Sequence, residues 1–170
     1  MANFDPIYVN LMRDEGGFVL HKVAGDSGGW TYGGIARNYH KDWPGWRLID
    51  NGVRSSEELS KLVREFYVRE FWLPLKGDQL IHQDVANMLF SFSVNASSKV
   101  AVKLAQTCVG VVADGVLGPK SLAALNDCDP LIFKPNFAIA AITLYVEICN
   151  RNRTQSKFLL GWRNRILKML

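Results

Sequence analysis

The stretch from Glu15 to Ile35 constrains this chain more than any other. An amphipathic segment runs into Glu15-Gly16-Gly17-Phe18, and a glycine-dense loop follows, closing with Asp26-Ser27-Gly28-Gly29-Trp30-Thr31-Tyr32-Gly33-Gly34-Ile35. Glycine at that density lets the backbone fold tightly beside a helix end and leaves room for a bulky ligand. It allows at most a small β-hairpin between residues 18 and 35, so the rest of the fold has to be built from helices.

The segment before the loop reads as a helix. Asp5 suits the N-cap and Pro6 the first helical position, while Phe4, Ile7, Tyr8, Leu11 and Met12 recur at helical spacing and form one apolar face. Gly16 and Gly17 stop it. Glu15 then falls in the last turn, where the negative end of the helix dipole opposes a carboxylate. Partial desolvation by Phe18 or Trp30 would raise its pKa further, as a proton donor near neutral pH requires. Asp26 lies across the glycine loop. Two carboxylates so disposed are what hydrolysis of a glycosidic bond uses, and a separation of about 6.5–9.5 Å would suit inversion, with Thr31 helping to hold a water. The plainer readings are a solvated helix-end acid at Glu15 and a loop-capping role for Asp26.

These motifs, taken together, resemble the glycoside hydrolase family 108 muramidases. The resemblance runs through Glu15 to Phe18, Asp26 to Thr31 and Gly34-Ile35, then Leu89-Phe90-Ser91-Phe92-Ser93-Val94-Asn95-Ala96-Ser97. The C-terminal half is similar to the predicted peptidoglycan-binding segment of the same proteins, through Ala105-Gln106, Asp114-Gly115-Val116-Leu117-Gly118-Pro119, Leu122, Leu125 and Phe158-Leu159 to Gly161-Trp162 and Arg165. The resemblance implies a mainly α, lysozyme-like α+β fold. It divides the chain into a glycoside hydrolase part over about 4–96 and a peptidoglycan-binding part over 97–170 within one compact domain. It also implies a lysozyme (N-acetylmuramidase) with Glu15 as general acid and Asp26 as the surviving second acid. Trp30, Thr31, Tyr32 and Asn95 then fall in the substrate-binding region. Peptidoglycan is the expected partner, with action in the periplasm or at the cell wall as an endolysin or a secretion-associated enzyme.

Three positions depart from the family pattern: Ser91 replaces its usual Asp, Ser97 its usual Gly, and Trp30 stands where relatives carry a Glu. They keep open a catalytically impaired wall-binding protein. A chitinase-like glycosidase is the other alternative, because lysozyme-like folds serve both substrates.

Composition narrows the classes. With 170 residues, 48% hydrophobic and 21% charged, the chain can bury one sizeable core. A net charge of +4 without a Lys/Arg block or a nucleic-acid motif argues against nucleic-acid binding. Cys108, Cys128 and Cys149 are an odd number without Cys-x-x-Cys spacing, and His21, His40 and His82 are scattered, so neither a disulfide framework, a metal site nor a cofactor is expected. The first residues lack a basic region and an apolar stretch, so the expectation is cytoplasmic synthesis and release by a holin or another system. The sequence leaves oligomeric state open.

Further helices are legible from periodicity. Ser55 to Glu58 has capping-box spacing ahead of Leu59, Leu62, Val63, Phe66 and Tyr67, with Pro74 ending that element. Val85, Met88, Leu89 and Phe92 mark another, and Ser97 or Ser98 can cap a helix through Val109. Asp114-Gly115 forms a turn that either touches peptide stems or simply joins two helices, and Gly118-Pro119 opens a helix ending near Asn126. Residues 137–149, apolar almost all round, read as a core helix too short to span a bilayer, so no membrane insertion is expected. The last helix should turn Phe158, Leu159, Trp162, Ile166 and Leu167 inward, with Gly161-Trp162 as a packing point. Tyr32, Tyr67 and Trp72 could stack on sugars, although the helical spacing of the last two favours the core.

Overall fold

A computed structural model describes residues 1–14, 17–22 and 28–170. Among them are eight α-helices and one three-stranded antiparallel sheet of order β1-β2-β3. The fold is mainly α with a small sheet, in keeping with the lysozyme-like expectation. The chain divides into two compact units, Phe4–Glu70 and Met1–Asn3 with Phe71–Leu170.

In the first unit, α1 (Phe4–Asp14) turns Phe4, Ile7 and Met12 into the core. The helix begins one residue before the expected cap, so Asp5 sits inside its first turn, where it accepts a 2.6 Å bond from Arg64. Strands β1 (Leu20–Lys22), β2 (Trp30–Tyr32) and β3 (Ile35–Ala36) exceed the expected hairpin by one short strand. Short helix α2 (Gly45–Asp50) begins within the Trp43-Pro44-Gly45-Trp46 segment, with Pro44 at its N-cap. Trp43 and Trp46 meet edge to face at 5.2 Å, and a Cβ on Gly45 would run into the Trp43 ring. Helix α3 (Glu57–Tyr67) is capped by Ser56, not Ser55: the Ser56 hydroxyl accepts from the Leu59 N–H at 3.0 Å. Leu59, Val63, Phe66 and Tyr67 on α3 are buried, and a π-helical turn, Val68–Trp72, continues the chain.

In the second unit, α4 (Gln83–Ala96) is the central element, burying Val85, Met88, Leu89, Phe90 and Phe92. It packs on α5 (Ser98–Cys108) and α7 (Pro130–Arg151), which also contacts α8 (Leu159–Leu167). Phe92 meets Phe137 edge to face at 5.4 Å and lies 5.8 Å from Tyr145, so α4 and α7 are joined by aromatic contacts. Helix α6 (Pro119–Asp127) starts on Pro119 after Gly118, as the sequence indicates.

Two expectations need correction here. Helix α7 runs for 22 residues, well beyond the apolar stretch 137–149, because the Asp129 side chain caps it ahead of Pro130 and Pro135 is accommodated inside it. That length and composition suffice to cross a membrane, with 28% of the most apolar window buried in the protein. At the C-terminal end, Ile166 is buried but Phe158 is 46% and Leu167 42% exposed, so the inward face of α8 is narrower than its apolar residues suggest.

Candidate active site and wall-binding segment

The β2–β3 connection shows why the Thr31-Tyr32-Gly33-Gly34-Ile35 run has its glycines. Tyr32 pairs with Ile35, leaving Gly33 (φ +52°) and Gly34 (φ +78°) as a two-residue turn, a geometry that needs positive φ at both central positions. Space adds a second reason. A Cβ on Gly33 would meet Val63 at 3.1 Å, and the buried Tyr67 hydroxyl donates to the Gly33 carbonyl at 3.0 Å. On the near side of β2, Gly29 (φ +72°) would press a Cβ to 2.9 Å from the Asn38 amide. Asn38 N–H donates to the Gly28 carbonyl at 3.0 Å and Arg37 N–H to that of Trp30 at 2.8 Å. The motif thus fixes the backbone around β2 in one shape.

The three β2 residues have different surroundings. Trp30 pairs with Lys22 and is 46% exposed, an aromatic face open to a ligand. Thr31, half-buried, sits between His21 and Ala36 in the sheet. Tyr32 is fully buried, its ring 6.3 Å from Trp43 and its hydroxyl donating to the Arg54 carbonyl at 3.1 Å. It therefore has no face to offer a sugar, and its place in the motif is explained by packing. Tyr67 and Trp72, each 2% exposed, are core residues. Glu15 and Asp26 lie outside the described residues.

Tyr8 is a feature that sequence reasoning passed over as one more apolar-face residue. Its hydroxyl is buried without a hydrogen-bond partner among the described residues, on a ring 5.6 Å from Phe4 and 6.4 Å from Tyr67. Burial pushes its pKa up to about 12, against a smaller downward pull from Arg64.

In the second unit, Asn95 is exposed on α4 but both ends of its amide are engaged. Nδ2 donates to the Ser91 carbonyl at 2.9 Å, and Oδ1 accepts from Arg165 at 2.7 Å, which ties α4 to α8. Ser97 takes φ +80°, the left-handed side of the map, at the junction of α4 and α5. That is the physical reason a glycine suits this position.

The Asp114–Pro119 loop is organised by one buried side chain. Gln106, with no exposed surface, donates through Nε2 to Asp114 (2.8 Å), the Val116 carbonyl (3.0 Å) and the Ser121 hydroxyl (2.9 Å). Its Oε1 accepts from the Gly115 N–H at 2.9 Å. Asp114 also accepts from the Val116 N–H at 2.8 Å, and that bond, with Gln106 second, holds its carboxyl below the ordinary range. The motif Asp-Gly-x-x-Gly-Pro is therefore held from within, and its acid is committed to the loop. Sequence marked both the turn and Gln106 as parts of the pattern, but not that the glutamine holds the turn.

A cavity of about 290 Å³ opens beside α6 and α7, lined by Cys108, Val109, Cys128, Asp129, Phe133 and Asn136 among others. Burial, with a contribution from Cys128, raises the Cys108 thiol to about 11. All three cysteines are free, and among the described residues no group of His, Cys, Asp and Glu side chains is placed to hold a metal ion.

Comparison with known proteins divides the chain at a different place from the two compact units, after α4 and not before it. Residues 8–96 match the model of the family described as Glycosyl hydrolase 108, and residues 100–167 match one described as Predicted Peptidoglycan domain. Among solved structures, that of SagA from Brucella abortus is similar over 98% of this chain and 90% of its own, with TM-score 0.73 at 24% identity. That similarity speaks for the fold. No curated protein matches.

Proposed function

The chain belongs to the glycosyl hydrolase 108 family, and from that premise we propose that it is a muramidase, cleaving the glycan strand of peptidoglycan at N-acetylmuramic acid with Glu15 as general acid. The observation that carries the reading is the pair of consecutive matches, a hydrolase segment over 8–96 and a peptidoglycan segment over 100–167. The glycine-built hairpin supports it, since it presents the exposed Trp30 ring and Thr31 four and five positions after Asp26 in the sequence.

In this mechanism Glu15 donates its proton to the glycosidic oxygen as the bond to the anomeric carbon breaks. Asp26 takes a proton from a water as that water attacks the anomeric carbon from the opposite face, and Thr31 helps to hold the water, giving inversion. Trp30 stacks on a sugar ring. No metal or organic cofactor enters, because the carboxylates and water account for every proton moved. The enzyme acts at the wall, as a lysin or in wall remodelling for secretion, after a holin or comparable system releases it.

The deciding experiment is mass analysis of the reducing ends released from purified walls. Muramic-acid ends are expected, whereas glucosamine ends would refute muramidase specificity. Glu15→Gln keeps the shape of the side chain and removes its transferable proton, and should lower the cleavage rate about 10²–10⁴-fold. A variant clearing walls at the wild-type rate would remove Glu15 from the mechanism, and an inert wild-type protein would favour a wall-binding role.

A further inference from the structure

The positive charge of this protein is segregated. After Glu147 the chain has no acidic residue, yet it carries Arg151, Arg153, Lys157, Arg163, Arg165 and Lys168. These six exceed the net charge of +4, so the preceding 147 residues are on balance slightly acidic. The segment folds as a 3₁₀ turn, Arg153–Phe158, followed by α8. All six cations lie in exposed residues. Arg151 is answered by Glu147 at 3.1 Å and Arg165 by the neutral Asn95, while among the described residues no ion pair engages Arg153, Lys157, Arg163 or Lys168.

Large apolar side chains stand exposed among these cations. Leu160 is 66%, Leu167 42% and Phe158 46% exposed. Leu160, Arg163 and Leu167 are spaced i, i+3, i+7 and share one exposed helical strip, distinct from the side on which Ile166 is buried and Trp162 stacks on Tyr145 at 4.7 Å. Lys168, at the C-cap of α8, is exposed beside this strip, and Lys157 lies over the Phe158 ring at 4.9 Å.

We propose that this surface, the 3₁₀ turn with the outer face of α8, is a docking site for an anionic phospholipid bilayer. Charge complementarity sets the sign of the partner. The leucines and phenylalanine identify its kind. A hydrated polyanion rewards cations alone, whereas a bilayer interface also takes apolar side chains into the headgroup–acyl boundary while arginines and lysines stay with the phosphates. Because the surface is only two turns of helix, binding is peripheral and reversible. Docking would hold the protein at the membrane face, where it reaches wall substrate by diffusion in a plane. That use of docking rests on the muramidase reading, whereas the docking itself does not.

The test is co-sedimentation of the full chain with vesicles of phosphatidylcholine alone or with about one part in three phosphatidylglycerol. The wild type should bind the anionic vesicles at least tenfold more strongly, and binding should weaken with salt. Two double variants, both at exposed positions, separate the contributions: Arg163→Glu with Lys168→Glu, and Leu160→Ser with Leu167→Ser. Each should lower partitioning about tenfold or more while the melting temperature stays near that of the wild type. Equal binding to both vesicle types overturns the proposal. A leucine variant that binds as tightly as the wild type also overturns it, because the surface would then be a site for a hydrated polyanion such as a wall polymer or nucleic acid.

Discussion

Replacing Ser97 by glycine should stabilise the second unit. Ser97 has φ +80° and ψ 149°, a region populated essentially by glycine, where a side-chain-bearing residue costs about 1–3 kcal/mol. The conformation is over-determined: its N–H donates to Ser93 at 2.8 Å, closing α4, and its carbonyl accepts from Ala101 at 3.1 Å, opening α5. No side-chain cap bond offsets the strain. Glycine relieves the strain but gains freedom in the unfolded chain, worth about 0.4–1 kcal/mol in the opposite direction. The net expectation is a stabilisation of about 0.5–2 kcal/mol, or roughly 1–8 °C in melting temperature for a chain of this length. Far-UV circular dichroism melts of wild type, Ser97→Gly and Ser97→Ala decide it. Alanine keeps the Cβ and should gain nothing, so the effect is specific to relief of the backbone. A Ser97→Gly protein melting at or below the wild-type temperature would refute the argument.

The remaining expectations concern buried polarity and ionisation. Gln106→Leu leaves the Gly115 N–H and the Ser121 hydroxyl without their partner in the core, and should cost about 2–4 kcal/mol in a urea unfolding titration; an unchanged midpoint would deny the glutamine its organising role. The Asp114 carboxyl is held below its ordinary value of 3.8 by Val116 and Gln106, so the stability it contributes is fully present above that value and is lost as pH falls through the lower folded-state pKa. Asp114→Asn should accordingly flatten the acid limb of the stability profile below about pH 4, and a profile identical to the wild type counts against the linkage. With its pKa near 11, Cys108 presents about a hundredth of the thiolate of an ordinary cysteine at pH 8. Thiol titration of native protein should therefore run at least tenfold slower at this residue than after unfolding, and a Cys108 as reactive as free cysteine would show the pocket to be open.

How much of this was legible in the sequence depended on whether the controlling contact was local. Periodicity located α3 because Leu59, Val63, Phe66 and Tyr67 share one face, but capping-box spacing pointed to Ser55, whereas the neighbouring Ser56 hydroxyl accepts from Leu59. The apolar stretch 137–149 marked only the middle of α7, because its start is set by the Asp129 cap with Pro130 in the N-terminal turn, and Pro135 is tolerated on an exposed side. Tyr32 shows the limit most clearly. Its neighbours in the chain suggest a ligand-facing aromatic, yet β2 turns it onto Trp43, a residue eleven positions away, and leaves Trp30 as the exposed ring. Gln106 had no spacing rule to reveal it, since its partners from Asp114 to Ser121 become neighbours only when the loop closes over it. Ser97, by contrast, carried its signal as a departure: a family glycine replaced by serine marks a positive φ that the serine must still adopt. The same logic assigns the glycines of the Gly33-Gly34 turn to backbone geometry and close packing. With those glycines accounted for, the exposed Trp30 ring and the half-buried Thr31 are the β2 side chains left to serve the chemistry proposed for Glu15 and Asp26.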